Sequence, residues 1–332
     1  MIFQGLELHN VVDMVQGESG NLICCRLPAA VRVQCNPGCQ HAAMAAANVE
    51  MRCHPGKDAA VELFVEGRAE ERVEIYQGDF LVGLQRVGPG RCTLPLALHA
   101  KTDLLVTLAE RHGSLFDPHL LRVCFDRETR VGVLGVSGKV TPPLLGETPA
   151  LRYLAYGSSI THGCGLSVMD GYAARTAQLL GADLLNLGVS GSAHCEAELA
   201  DYLAARDDWD FASLEMGVNL IGILDPATFR TRVEGFVRRL SASGRPLFCI
   251  DMWRHEADYG THDPWKQVAF RQAVREVVTE LQLPHVIHVD GSVAPRTLAG
   301  LSADLVHPSP VGLEDMAAYL AGLMRKGVWN HV

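Results

Sequence analysis

The spacing of apolar and polar positions changes character near residue 150. Before it, short runs recur: Val31–Val33, Val61–Val65, Arg72–Tyr76, Leu104–Leu108, Leu120–Phe125 and Val131–Val136. Several alternate apolar with polar, as half-buried strands do. Turn-forming residues separate them at Glu66-Gly67, Gln77-Gly78-Asp79, Gly88-Pro89-Gly90 and Asp126-Arg127-Glu128. Repeated short strands without helical stretches predict an antiparallel, jelly-roll-like β-sandwich over residues 1–145. The Pro-rich segment Val140–Pro149 reads as a linker.

After it, apolar runs alternate with stretches of helical period. The runs are Leu151–Tyr156, Leu184–Leu187, Phe211–Met216, Leu247–Met252 and Val286–Val289. The helical stretches are Tyr172–Leu180, Ala197–Ala205, Pro226–Ser241, Pro264–Leu281 and Pro310–Arg325. Asp225 and Asp263 precede the prolines that open two of these helices, as capping residues do. The order predicts a three-layer α/β/α domain over residues 150–332, with a parallel sheet of five strands.

Composition narrows the classes. The chain has 332 residues, is 48% hydrophobic and carries a net charge of −9, enough apolar content for two cores. No basic cluster favours nucleic acid or an anionic membrane surface. No apolar run reaches the length of a membrane span. The start, Met1 to Glu7, has neither a basic segment nor an apolar signal core, so a cytoplasmic location is expected. The ten cysteines then read as free thiols. Cys35-Asn36-Pro37-Gly38-Cys39, with His41, Cys53 and His54, faintly suggests a metal clip, but a turn flanked by buried thiols fits better, and no metal is assigned.

Chemistry gathers at the strand ends of the second half. The first run ends in Gly157-Ser158-Ser159, and a serine at the carboxyl end of a strand in an open sheet sits where such sheets bind ligands. Ser158 and Ser159 are therefore candidate nucleophiles. The second strand leads to Asn186-Leu187-Gly188-Val189-Ser190-Gly191, the third to Gly217-Val218-Asn219, and Asp304-Leu305-Val306-His307 follows the fifth. A serine needs a base, which His307 can supply, and Asp304 can orient that imidazole. The N–H groups of Ser159 and Gly191 and the amide of Asn219 suit an oxyanion. Trp253 and Arg254, after the fourth strand, are candidates for a substrate wall and anchor, and Trp253 could equally cap the core. Cys164 and Cys195 lack this block context, and no dinucleotide or phosphate-loop pattern appears, so no cofactor is assigned.

In order and approximate spacing these four blocks resemble those of the SGNH hydrolases, the GDSL esterase/lipase superfamily, in a two-domain form with a β-sandwich ahead of the hydrolase domain. The resemblance implies a flavodoxin-like domain with Ser159 as nucleophile, Asp304 and His307 completing a triad, and Gly191 and Asn219 in an oxyanion hole. Ser158 stands where the family name has aspartate, and Leu220 where aspartate often follows the asparagine. The expected activity is a serine esterase for short-chain esters, acetyl above all, with acetylated saccharides as one substrate class. Two alternatives stay open: an acyltransferase using the same acyl-enzyme, and a catalytically dead carbohydrate-binding protein. No nucleic-acid or membrane partner is expected, and a homo-oligomer is left open.

Overall fold

The computed structural model describes residues 1–165 and 167–328. The chain forms two compact units. One comprises Met1–Ala29 and Ala43–Ala150. The other comprises Ala30–Ala42 and the chain from Leu151 onward.

The first unit is built from antiparallel ladders. One sheet runs Ile2–Phe3, Leu6–His9, Glu50–Pro55, Leu121–Phe125, Glu71–Gln77, Phe80–Val87 in spatial order, with Val140–Thr141 also paired to Glu50–Pro55. A second runs Arg130–Ser137, Ala60–Glu66, Gly90–Pro95. Their alternating apolar positions meet in one core, with Leu8, Met51 and Val123 from one sheet and Val61, Leu63 and Val131 from the other, which makes the unit a sandwich. Within the larger sheet, Glu50 takes two hydrogen bonds from Arg122, at 2.9 and 2.6 Å, and one from Arg52 at 2.8 Å. Buried charges persist when paired in this way. The first residues of the Pro-rich segment thus close the sheet, and only the rest of it leads onward.

Two of the expected strands are helical. Leu104–Leu108 lies inside a helix, Thr102–His112. A short apolar run has no period of its own to tell strand from helix. The deciding features flank it: Asp103 in the first turn, Arg111 and His112 in the last, and Gly113 beyond with φ +83°. Val31 falls in a short helix, Ala29–Arg32, followed by another, Pro37–Ala42.

The second unit has five parallel strands: Leu151–Gly157, Ala182–Gly188, Phe211–Glu215, Leu247–Ile250 and Val286–Val289. Their spatial order is second, first, third, fourth, fifth, the 2-1-3-4-5 order of flavodoxin-like folds. The strands are almost wholly buried, as parallel strands between helical layers are. Helices follow at Tyr172–Leu180, Ala197–Ala205, Pro226–Ser241, Trp265–Leu281 and Pro310–Val328. Asp225 caps the third, its carboxylate accepting from the N–H groups of Ala227 and Thr228. Among the described residues, no helix is long and apolar enough to cross a membrane.

Candidate active site

The first strand pairs with the second on one side and the third on the other, so its carboxyl end lies at the switch point of the sheet. There the chain turns sharply. Ser158 is extended, and its Oγ accepts the Ile160 N–H at 3.2 Å, capping a one-turn helix, Ser159–His162. Ser159 is the first residue of that turn. Its N–H has no intrahelical partner and its side chain is half-buried at the crevice.

His307 meets it. Ser159 Oγ lies 2.7 Å from His307 Nε2, and His307 Nδ1 lies 2.7 Å from Asp304 Oδ2. An ionised carboxylate only accepts, so Nδ1 donates to Asp304 and Nε2 is left to accept from the serine hydroxyl. Asp304 also takes the N–H groups of Val306 at 3.0 Å and His307 at 2.9 Å, and the Ser302 hydroxyl at 2.8 Å. Burial alone would raise its pKa, but these donors outweigh it and hold the carboxyl well below the usual carboxylate range. The loop is fixed from outside by Glu256, whose N–H donates to the Leu305 carbonyl at 2.9 Å.

The loop after the second strand supplies further donors. Val189 N–H reaches Gly157 O at 2.8 Å, and Ser192 N–H closes a turn on Val189 O at 3.0 Å. Gly191 sits in that turn with φ +68°, exposed, and with open space where a Cβ would stand. Glycine is called for there by backbone conformation, and the empty face leaves room for a ligand. Asn219 Oδ1 accepts the Ala193 N–H at 3.1 Å. That bond orients the amide and leaves Nδ2 free to donate.

One group of the site was not foreseen from the sequence. Glu215, at the end of the third strand and 1% exposed, accepts the Ser158 N–H at 2.7 Å through Oε2. Thr161 Oγ1 adds a bond at 3.3 Å and links on to the Tyr172 hydroxyl at 2.7 Å. Oε1 is buried without a partner, and burial pushes the carboxyl pKa up. So the position that carries aspartate in the family name is serine here, and a carboxyl group reaches the turn from a neighbouring strand. A carboxylate inside a mostly apolar run, Phe211 to Met216, was the available signal. Gly157 makes the approach possible, since a Cβ there would stand 2.6 Å from Glu215 Oε2 and 2.2 Å from Thr161 Oγ1.

Other side chains have different surroundings. Trp253 is only 2% exposed and packs edge-on against Tyr172 within the core, which corrects its reading as a substrate wall: its bulk completes the core. Arg254 is half-buried, its backbone N–H held by the Gly291 and Ala294 carbonyls and its guanidinium 6.0 Å from the Tyr259 ring. His162 is buried, with Nδ1 3.0 Å from the Gly188 carbonyl. Cys195 is buried and its thiol is pushed up by burial, away from nucleophilic character. Among the described residues no cluster of His, Cys, Asp and Glu could hold a metal ion. A cavity of about 1080 Å³ is lined by Asp170, Arg175, Arg296, Thr297 and Val311 among others, but not by Ser159 or His307.

A serine, histidine and carboxylate in line at the carboxyl end of a flavodoxin-like sheet suit nucleophilic attack on a carbonyl carbon. Residues 155–314 match the GDSL-like Lipase/Acylhydrolase family. Solved structures of the same two-domain fold extend over nearly the whole chain. A salicylyl-acyltransferase, SsfX3, from a tetracycline biosynthetic pathway is 16% identical, covers 96% of this chain and 95% of its own, and superposes with a TM-score of 0.75. A family two carbohydrate esterase from Cellvibrio japonicus is 15% identical over 98% and 96%, with a TM-score of 0.65. The acetyl xylan esterase Est2A from the rumen bacterium Butyrivibrio proteoclasticus is 12% identical over 99% and 97%, with a TM-score of 0.57. At such identities the likeness is one of fold. No curated protein sequence matches the chain.

Proposed function

We propose that the protein is a serine esterase that cleaves short-chain esters, acetyl esters first, through an acyl-enzyme on Ser159. The observation that carries this reading is the unbroken line from Ser159 Oγ through His307 to Asp304, with both contacts at 2.7 Å. Ser159 Oγ attacks the ester carbonyl carbon while its proton passes to His307 Nε2. The carbonyl oxygen becomes an oxyanion, met by the N–H groups of Ser159 and Gly191 and by Asn219 Nδ2. Asp304 stabilises the imidazolium through Nδ1. Collapse breaks the bond to the alcohol oxygen, which takes the proton from Nε2. Water, deprotonated by His307, then attacks the acyl-serine, releasing the acid and restoring Ser159. The likeness in fold to carbohydrate esterases makes an acetylated saccharide the substrate class to try first.

The test is hydrolysis of p-nitrophenyl esters from acetyl to octanoyl by the parent, Ser159→Ala and His307→Ala. The expected result is activity that falls with chain length, and a loss of about 10⁴-fold or more in kcat in each variant. Full activity in Ser159→Ala would overturn the reading. A second reading, transfer of the acyl group to another alcohol, is favoured by the likeness to an acyltransferase over 96% of the chain. It differs only in whether water or an alcohol reaches the acyl-serine.

A further inference from the structure

The segment Ala30–Ala42 lies far ahead of Ser159 in the chain yet belongs to the same compact unit. Its contacts are with the loop that carries Gly191. Asn36 Nδ2 donates to the Ser192 carbonyl at 3.0 Å and to Glu196 Oε1 at 2.5 Å. The Asn36 N–H also donates to Glu196 Oε1, at 3.3 Å, and Oδ1 accepts the Cys39 N–H at 3.0 Å. Both ends of the amide are thus engaged, one on its own short helix and one on the loop. Gly38 abuts the same residue: a Cβ there would stand 2.0 Å from Ser192 Oγ.

The loop has few other holds. Val189 N–H is on Gly157 O at 2.8 Å, Ala193 N–H on Asn219 Oδ1 at 3.1 Å and Cys195 N–H on the Tyr156 hydroxyl at 2.9 Å. Gly191 touches nothing with its open face, so its place depends on the residues either side. Ser192, immediately after it, is buried, and its carbonyl is held by Asn36. We propose that Ala30–Ala42 is a brace in which Asn36 and Gly38, as positioning residues, set where the Gly191 N–H points. The inference rests on the esterase reading above, because it assigns that N–H to the oxyanion. Such a donor must lie within about 2.7–3.1 Å of the developing charge, and a displacement near 1 Å costs on the order of 10²-fold in rate.

The experiment is steady-state hydrolysis of p-nitrophenyl acetate by the full chain and by Asn36→Ala, Gly38→Ala and Gly38→Ala/Ser192→Ala. Inhibition by phenylboronic acid, which forms a tetrahedral adduct on a serine, is measured alongside. The expected result is a drop in kcat of about 10- to 100-fold in both single variants, with KM within about twofold. Boronate affinity should fall in parallel. The double variant should recover much of the loss, because removing Ser192 Oγ makes room for the new methyl group. A merely structural role would lower the yield of folded enzyme without separating kcat from KM. A parent that turns over, with Asn36→Ala and Gly38→Ala matching it in kcat, overturns the inference. A parent with no turnover and no boronate binding overturns the esterase reading, and the brace with it.

Discussion

Glu215 illustrates how much of this site is decided by single side chains that do no bond-making. Its Oε2 holds the Ser158 N–H at 2.7 Å, while its Oε1 has no partner. Burial raises its pKa, so the folded state holds this proton more tightly than the unfolded chain does. The stability it contributes is therefore fully present below the unfolded pKa and is lost as pH rises through the folded value. Urea unfolding from mildly acidic to neutral pH should show this decline in the parent, and Glu215→Gln, which cannot titrate, should flatten it. Glu215→Ala should lose about 1–3 kcal/mol of stability, since it leaves a buried N–H unpaired. Ser159 and Asn219 could be picked out in the sequence as candidates because each follows an apolar run, where a polar group has no packing role to explain it, and Asp304 and His307 because an acid three residues before a histidine can orient it. Glu215 sits inside such a run and was read as part of it. Trp253 was open to two readings for the opposite reason: it stands among polar neighbours but turns into the core.

Among elements, the one-turn helix Ser159–His162 is the smallest and depends most on its surroundings. A single turn has no stability of its own. It is held by Asn186, whose Nδ2 donates to the Thr161 carbonyl at 2.8 Å and whose Oδ1 accepts the Gly188 N–H at 2.8 Å. It is held as well by the close approach of Gly188, where a Cβ would stand 2.2 Å from the His162 backbone nitrogen. Backbone cannot swing aside as a side chain can, so Gly188→Ala should cost about 1–3 kcal/mol by overpacking. It should also lower kcat by about 100-fold as Ser159 moves off line. Thermal unfolding and ester hydrolysis on one preparation would check both. The long helices were readable from their period, and the five parallel strands from short apolar runs alternating with them. Thr102–His112 was not, because only the residues flanking its apolar run give it away.

At the scale of the whole molecule, the alternatives narrow to where the acyl group goes. Adding acceptor alcohols to a p-nitrophenyl acetate reaction should leave acetic acid as the main product if the protein is a hydrolase. A product mixture dominated by the new ester, by chromatography, would favour the transferase reading. The order of the hydrolase unit was legible because strand–helix alternation with short connections permits few topologies. The pairing of Asn36 with Ser192 was not, since it joins positions 156 apart and leaves no periodicity to read. Yet it bears on heredity as much as on geometry. An Asn-Pro-Gly helix start encoded before most of the sandwich serves a loop encoded after it, so the hydrolase unit is not one contiguous cassette. Exchanging the first 145 residues with those of a relative would discard that donor and leave the Ser192 carbonyl unmet. These two stretches of the gene are expected to change together, and chimaeras should keep activity only when residues 30–42 travel with the hydrolase half.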